Sequence, residues 1–447
     1  MREVDQLSMS GTTEDAAGPP APARGRAARA AVLGGVLGNY ADQFDIFLPV
    51  IALAPAATRL YGPGNLTAAA GLVFVATLVG RPVGSAVFGP LADRLGRTRA
   101  TTVAMTGLTI TTALIAAVPG REVLGALTFY AVVALRLLSG VFIGGGYTSA
   151  VPLAVEWAPE RRRGLVSGLV MWMSPWANAT IAALVLVLLR AVGPDSYAAW
   201  GWRIPFALGA ALAAAMLVFY RRRVVDAPTA SRPADRAHPL REVLTGQHGR
   251  NLRRLFVLMT GLWLFTDMAV AVLTGQLRSV AHLRDQQVTF TMLCGTAVSA
   301  VAMLACGHLS TRTGRRAFFI GFGAVSAVVS PLVYLAALHQ RDLAAVVLLV
   351  VLLQVTTVPV YGPVAAYLTE HFPPSVRSSG YGLAYSTSIV LPALYPYYLP
   401  PLQRVLGVQG AVAALLALAG VLTAAGAARS APRRTLGDSD GGSDDLR

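Results

Sequence analysis

Long apolar stretches recur along the whole chain, from Ala31–Thr58 near its start to Val408–Ala427 near its end. A stretch of about 18 residues or more can cross a bilayer as an α-helix, and a helix leaves no backbone polar group unpaired in lipid. Only 13% of the residues are charged, which is about half the share in soluble domains. The chain is therefore predicted to be an all-α polytopic membrane protein in contact with the lipid bilayer.

About twelve such stretches can be counted, six on each side of a longer polar segment. The predicted parts are a disordered cytoplasmic arm (1–29), an N-terminal six-helix bundle (30–220), a cytoplasmic linker (221–254), a C-terminal six-helix bundle (255–427) and a cytoplasmic tail (428–447). The arm is rich in Gly, Ala and Pro with mixed charge, which favours disorder. It lacks the basic start and the cleavage site of a signal peptide, so the first span is expected to stay in place.

The placement of arginine predicts the orientation of the spans. Loops after even-numbered spans carry clusters of arginine, whereas loops after odd-numbered spans carry single arginines. The clusters contain Arg94, Arg97 and Arg99; Arg161, Arg162 and Arg163; Arg221, Arg222 and Arg223; and Arg312, Arg315 and Arg316. Because basic loops stay in the cytoplasm, both termini are predicted to be cytoplasmic in a multi-pass plasma-membrane protein. The net charge of +15 is spread over these loops, which argues against a nucleic-acid partner.

Two motifs occur twice along the chain. GPLADRLGR at Gly89–Arg97 is echoed by GHLSTRTGR at Gly307–Arg315, and EWAPERRRG at Glu156–Gly164 is echoed by EHFPPSVRSSG at Glu370–Gly380. The two offsets are nearly equal, which indicates a duplicated half of six spans. Parallel halves with a binding site between them at mid-membrane depth are a known transporter plan.

Several kinds of enzyme are excluded by what the sequence lacks. It contains no Walker-type glycine-rich loop, nucleophile elbow or metal-ligand spacing, and its segments between spans are too short for a catalytic domain. Cys294 and Cys306 lie in apolar stretches and are expected to be free thiols. The sequence therefore predicts a protein that is not an enzyme, needs no cofactor or metal, and uses an ion or substrate gradient.

The segment GPLADRLGRTR resembles the signature loop between the second and third helices of the major facilitator superfamily. Within it the chain is similar to the metabolite:proton symporter family, which includes proline/betaine, ketoglutarate and shikimate permeases. The similarity is carried, in the expected order over almost the whole chain, by GNYADQFDIF, RPVGSAVFGPLADRLGR, EWAPERRRG, WGWRIPF, RRRVVDAP, PLREVL and EHFPPSVRSSG. The resemblance implies two six-helix halves and alternating access, with a small-molecule substrate and protons as partners, and we expect a monomer.

Three positions depart from the pattern of the family. Thr311 stands in the second signature loop where Asp is usual, and Gly146 stands in the fourth span where the family commonly has Glu. The fifth span reads MWMSPWANAT where the family has small residues and Gln. The change at Thr311 affects the balance between the two gate loops. The other two changes leave the identity of the substrate undetermined.

Asp42 and Asp45 lie near the middle of the first span and share one helix face, because they are three residues apart. Acidic side chains inside a membrane span are costly and mark functional sites by default. One of the pair is expected to carry the coupling proton, which is preferred over sodium by family resemblance. The alternative is a polar cluster that orients helix packing.

Two arginines also lie within spans. Arg136 is in the middle of the fourth span, where it can pair with Asp42 or Asp45 or bind a substrate carboxylate through two hydrogen bonds. Arg81 precedes the first signature loop, and its favoured interpretation is a side chain that anchors or snorkels near the cytoplasmic end of its span.

Further candidates lie in both halves. Asp267 in the seventh span is a secondary candidate for proton coupling, with a packing role as the alternative. Tyr147, Trp172, Trp176 and Trp263 are candidates for a substrate-binding wall that stacks a ring or holds a quaternary ammonium group. Such aromatics also serve in packing and at membrane interfaces.

The candidate gate consists of residues in and around the two repeated motifs. They are Gly89, Asp93, Arg94, Gly96, Arg97, Glu156, Arg162, Arg163, Arg315, Glu370 and Arg377. Ion pairs among them are expected to hold one access state and to break in the other. With Thr311 in place of the second acid, the gate is expected to be asymmetric.

The leading functional hypothesis is proton-coupled symport of a small organic acid or zwitterion across the plasma membrane. The alternative is proton-driven efflux of a secondary metabolite or drug, which Gly146 and the tryptophan-rich fifth span favour. The direction of solute movement under an imposed proton gradient separates the two.

Overall fold

The computed structural model describes residues 21–62, 66–227 and 239–428, which are helical almost throughout and contain no β-strand. Twelve helical segments follow one another in this part of the chain. They are α1 (Ala21–Ile51), α2 (Leu66–Leu95), α3 (Arg97–Ala117), α4 (Leu127–Trp157), α5 (Arg163–Val192), α6 (Arg203–Arg223), α7 (Gly246–Thr266, continued by Asp267–Val272 and Leu273–Ser279), α8 (Asp285–Thr313), α9 (Arg315–His339), α10 (Leu343–Val355, Val358–Tyr361 and Val364–Glu370), α11 (Arg377–Thr387, Val390–Ala393 and Tyr395–Leu406) and α12 (Val408–Ala428).

Eleven helices in the described ranges are long and apolar enough to cross a membrane, which confirms the prediction of an all-α polytopic fold. The eleventh predicted span lies in α11, which is broken into three pieces and is not among these eleven helices. Pro392 and Pro396 lie in this region, and proline removes a backbone donor and disrupts the preceding helical turn.

The ends of the predicted parts differ in detail from the helices. α1 begins at Ala21, so residues 21–29 of the predicted arm are helical. The predicted linker contains the short helix Pro239–Leu244, whereas its residues 228–238 lie outside the described residues. The first twenty residues and those after Ala428 also lie outside them, so the predicted disorder of the arm and tail stays a prediction.

Glycines bring α2 and α4 into backbone contact. Gly80 and Gly84 on α2 face Gly140 and Gly144 on α4, and a Cβ atom on any of the four would meet backbone atoms of the opposite helix. Small residues four apart allow this close approach between membrane helices. The contact fixes Arg81, which follows Gly80, against the middle of α4.

The N-terminal half (α1–α6) and the C-terminal half (α7–α12) are joined mainly at one side. We call it the arginine-rich side, because it carries the arginines of the 94–99 and 161–163 regions. Side-chain hydrogen bonds between the described parts of the two halves all lie between the middle of the helices and this side. Gly164 on α5 also packs directly on the backbone of Gly307 on α8.

Candidate functional site

Arg81 lies at the centre of an aromatic cluster between the two halves. Its side chain is only 1% exposed, and its Cζ atom lies 5.6 Å from the ring centre of Tyr147, 5.8 Å from that of Trp263 and 5.4 Å from that of Tyr385. Tyr147 belongs to α4, whereas Trp263 and Tyr385 belong to α7 and α11. The guanidinium is therefore enclosed by rings from both halves.

The donors of Arg81 are not fully used. Its Nε and Nη2 atoms have no hydrogen-bond partner in the described structure, although burial of a charge without partners is costly. None of the described carboxylates forms an ion pair with it within 4.0 Å. The sequence interpretation of Arg81 as an anchor near the end of its span is wrong, because α2 continues for about four turns beyond it.

Asp42 on α1 is a buried carboxyl group near Arg81. It is 2% exposed, and its Oδ1 atom has no hydrogen-bond partner among the described residues. Arg81 is the cation whose charge acts most strongly on it. A Cβ atom on Gly146 would lie 3.6 Å from Asp42 Oδ2, so a glutamate at this position would compete for the same space.

Asp45 lies in a separate network inside the N-terminal half. Arg136 is 0% exposed, its Nη2 atom donates to Asp45 Oδ1 at 3.1 Å, and its Nη1 atom forms an ion pair with Asp45 Oδ2 at 2.9 Å. Thr112 donates a further hydrogen bond of 2.5 Å to Asp45 Oδ1, and Arg136 also donates to the Asp45 carbonyl. The ring of Phe206 covers the guanidinium at 5.6 Å. The network joins α1, α3, α4 and α6.

The candidate aromatic residues fall into two groups. Tyr147 stacks on Tyr385 at 4.3 Å, and Trp263 meets Tyr385 edge to face at 5.1 Å, so both belong to the central cluster. Trp172 and Trp176 form their own edge-to-face pair at 5.9 Å on α5. Trp176 is 50% exposed, which places it at the outer surface or the edge of a cavity.

Asp267 is half-buried and begins a π-helical turn in α7. Such turns are often found at functional sites. Thr266 beside it donates a hydrogen bond of 3.3 Å to the hydroxyl of Tyr361, which is itself in edge-to-face contact with Trp263. Asp267 thus lies near the central cluster on the side of the C-terminal half.

At the arginine-rich side, the carboxylate of Asp93 binds the start of α11 in the other half. The backbone N–H groups of Ser378 and Ser379 donate to its two oxygens at 2.9 Å each, and the Ser379 hydroxyl donates at 2.7 Å. A negative charge at a helix N-terminus is favourable because the first N–H groups are free and the helix dipole is positive there. Gly89, one turn earlier, lets α2 approach the backbone of Ser379.

Glu156 on α4 connects the same two halves through two arginines. It forms ion pairs with Arg97 of its own half and with Arg377 of the other half. Arg97 also donates to the Ser378 hydroxyl at 3.1 Å and to the Pro374 carbonyl at 3.2 Å. The carboxylate is 3% exposed, so these pairs are shielded from solvent.

The second signature loop is built differently. Arg315 donates to both oxygens of Glu370 at 2.6 Å within the C-terminal half, and Arg163 lies 4.0 Å from Glu370 across the halves. Thr311 donates to its own helix and touches Gly164, with no acid there to bind the start of α5.

Three more of the predicted gate residues lie at this side. Arg162 is exposed in a short turn, and Arg94 is in the last turn of α2. Gly96 has a φ of 96°, a value that glycine adopts readily, at the start of α3.

Sequence reasoning missed the tyrosines of α11. Tyr381 and Tyr385 are buried, stack near Tyr147 and contribute to the cluster around Arg81. Their spacing in GYGLAYS, four residues apart, places them on one helix face. That spacing is a detectable signal in the sequence, and it directly follows the segment EHFPPSVRSSG.

Comparisons with known proteins agree with this architecture. Residues 37–396 match the profile of the Major Facilitator Superfamily. The alpha-ketoglutarate permease of Escherichia coli (strain K12) is 28% identical over 80% of this chain and 83% of its own. The proline/betaine transporter of Salmonella typhimurium is 25% identical over 82% of this chain and 76% of its own. A solved structure of the proton:xylose symporter XylE shares the fold, with a TM-score of 0.69, 17% identity and coverage of 90% and 95% of the two chains.

The chain belongs to the Major Facilitator Superfamily. It is a multi-pass membrane transporter and not an enzyme, and its relatives include metabolite permeases, as the sequence predicted.

Proposed function

We propose that this protein is a proton-coupled symporter that moves a small organic acid or zwitterion across the plasma membrane by alternating access. The observation that carries the proposal is the buried Arg81, enclosed by rings from two halves that must move against each other, with the buried carboxyl group of Asp42 near it. The names of the relatives support the substrate class, since one is called an alpha-ketoglutarate permease and another a proline/betaine transporter.

The orientation follows from the positive-inside rule. With the arginine-rich side in the cytoplasm, both termini are cytoplasmic, and this structure has its halves closed on the cytoplasmic side. The site at Arg81 then receives solute from the outside. Rocking of the two halves exposes the site to one side at a time.

Asp42 is the proposed proton carrier. Deprotonated, it is a charge near the interface, facing the positive charge of Arg81 and the negative charge of Asp45, with the Tyr220 hydroxyl also near it. Protonated, it is neutral and no longer attracts Arg81. A change of this kind alters the attraction between α1 and Arg81, whose side chain lies between the two halves, and in this way a proton can bias the two access states.

Asp45 and Arg136 have a structural role in this proposal. The two charges pair with each other inside one half and do not need to separate when the halves rock. Asp267 remains a secondary candidate for proton coupling, and Trp172 and Trp176 remain candidates for solute contact on α5.

A transport assay with right-side-out vesicles tests the proposal. Vesicles that contain the protein are given an inward proton gradient and labelled 2-oxoglutarate, L-proline or glycine betaine. We expect accumulation of at least one of these solutes, and its loss when an uncoupler collapses the gradient. Solute expulsion driven by the gradient would instead support efflux, and uptake without any effect of the gradient would contradict proton coupling.

Asp93→Asn is expected to weaken cytoplasmic closure. It removes the charge that binds the start of α11, which costs roughly 1–2 kcal/mol and increases opening about 5- to 30-fold. The measurement is maleimide labelling of Thr148→Cys, a buried interface position, from the cytoplasmic side in a background with Cys294→Ser and Cys306→Ser.

Asp226→Asn is the matched control for this measurement. Asp226, just after α6, accepts hydrogen bonds of 2.8 Å from the backbone and hydroxyl of Thr98 at the start of α3, so this contact does not join the two halves. Its loss is therefore expected to leave labelling of the interface unchanged. Equal labelling rates in wild type and Asp93→Asn would contradict the gating role.

A further inference from the structure

We propose that Arg81 binds the carboxylate group of the transported solute. The inference rests on the proposed function, since it names the chemical group that the central site recognises. The ligand class is a compact organic carboxylate, with or without a second charged group.

The first step concerns unused hydrogen-bond donors. Arg81 is 1% exposed, and two of its three nitrogens lack a partner in the described structure. A guanidinium carries five N–H donors in a flat fork that matches the two oxygens of a carboxylate. A bound carboxylate therefore supplies the partners that the protein does not.

The second step is that other acids near the interface are already engaged. Asp45 is paired with Arg136, Glu156 with Arg97 and Arg377, and Glu370 with Arg315. Asp93 binds the start of α11. Among the described acids near the central cluster, this leaves Asp42 and Asp267, and neither forms an ion pair with Arg81 within 4.0 Å.

The third step is the shape of the cluster. The rings of Tyr147, Trp263 and Tyr385 lie around the guanidinium, and they come from both halves. Rings that hold an arginine fix the direction of its donors, which lowers the entropy lost when a ligand binds. A carboxylate held at this point touches both halves at once, so its binding can influence their relative position.

The site also links the carboxylate to the proton. An anion at Arg81 brings a negative charge toward Asp42, and two nearby negative charges repel each other at low dielectric. The site therefore holds the anion best when Asp42 is protonated. Tyr361, Tyr381 and Tyr385 are the other titratable groups that sense the charge of Arg81, and none of them supplies a negative charge near neutral pH as an ordinary phenol.

The test is ligand-induced thermal stabilisation of the purified full-length protein. The probes are 2-oxoglutarate, L-proline and shikimate, each compared with a counterpart that lacks the carboxylate: dimethyl 2-oxoglutarate, L-prolinamide and methyl shikimate. We expect at least one acid to stabilise the wild type and its counterpart to fail. Arg81→Gln is expected to weaken that binding roughly 10- to 100-fold, because charged hydrogen bonds are lost.

Two further variants make the result specific. Arg81→Lys keeps the charge but loses the fork, and we expect binding between that of the wild type and that of Arg81→Gln. Arg190→Gln makes the same charge change at an exposed position at the end of α5 and is expected to bind like the wild type. If Arg81→Gln does not fold, the inference is tested by Arg81→Lys and by the comparison of each acid with its counterpart.

Several outcomes overturn the inference. They are unchanged carboxylate binding in a folded Arg81 variant, equal stabilisation by acids and their counterparts, and stabilisation by none of the acids. A different combination of results separates this inference from the proposed function. If carboxylate binding depends on Arg81 but transport does not respond to the proton gradient, the inference is supported and the proposed proton coupling is contradicted.

Discussion

Asp42→Asn is expected to abolish proton-driven accumulation of solute while exchange of solute across the membrane continues. Asparagine has the size of aspartate and, like protonated aspartate, carries no charge. The loaded halves can therefore still rock and exchange labelled for unlabelled solute. The return of the empty carrier no longer depends on release of a proton, so the gradient cannot drive net uptake.

The measurement uses proteoliposomes with an imposed proton gradient, followed by counterflow in the same preparation. We expect accumulation to fall at least tenfold and counterflow to stay within about threefold of the wild type, a difference of less than one kcal/mol. Asp267→Asn is the matched control, since it removes the other candidate acid. If proton-driven accumulation persists in Asp42→Asn and is lost in Asp267→Asn, the proton carrier is Asp267 on α7 and the assignment to Asp42 is contradicted.

Arg136→Gln is expected to cause a large loss of stability. It leaves the carboxylate of Asp45, which is 3% exposed, without its counter-ion inside the N-terminal half. Removing one partner of a buried ion pair costs about 3–5 kcal/mol because the remaining charge stays buried. The double variant Asp45→Asn/Arg136→Gln removes both charges and is expected to recover part of this loss.

The Tm of the purified protein measures both effects. Arg59→Gln is the matched control, because Arg59 pairs with Glu122 at 2.7 Å but both side chains are about half exposed. Exposed ion pairs contribute little, so its Tm is expected to stay close to that of the wild type. A similar Tm for Arg136→Gln and Arg59→Gln would contradict the structural role of the Asp45–Arg136 pair.

The fold class and the family could be predicted from the sequence, because both depend on local features that do not require knowledge of tertiary contacts. Apolar length predicts spans, and the repeated motifs predict two halves. The break in α11 was harder to predict, since its apolar residues continue through the prolines. Hydropathy alone does not report where backbone hydrogen bonds are interrupted.

The roles of individual charges could be predicted only in part. Asp42 and Asp45 look equivalent in sequence, but three helical positions differ by about 60° around the axis. That rotation is enough to turn Asp42 toward Gly146 and Asp45 toward Arg136. Arg81 was expected near the end of its span because the apolar stretch ends soon after it. The helix continues beyond the apolar stretch to Leu95, so Arg81 lies well inside α2.

The central claim is that solute and proton cross the membrane together. The most direct test is to measure the pH of the medium around wild-type proteoliposomes when solute is added. The vesicles are suspended in weakly buffered medium without an imposed gradient, and a carboxylate that stabilises the purified protein is added outside. We predict a rise in external pH that accompanies solute entry and is absent in Asp42→Asn. Solute entry with no pH change, or with acidification of the medium, would contradict the account.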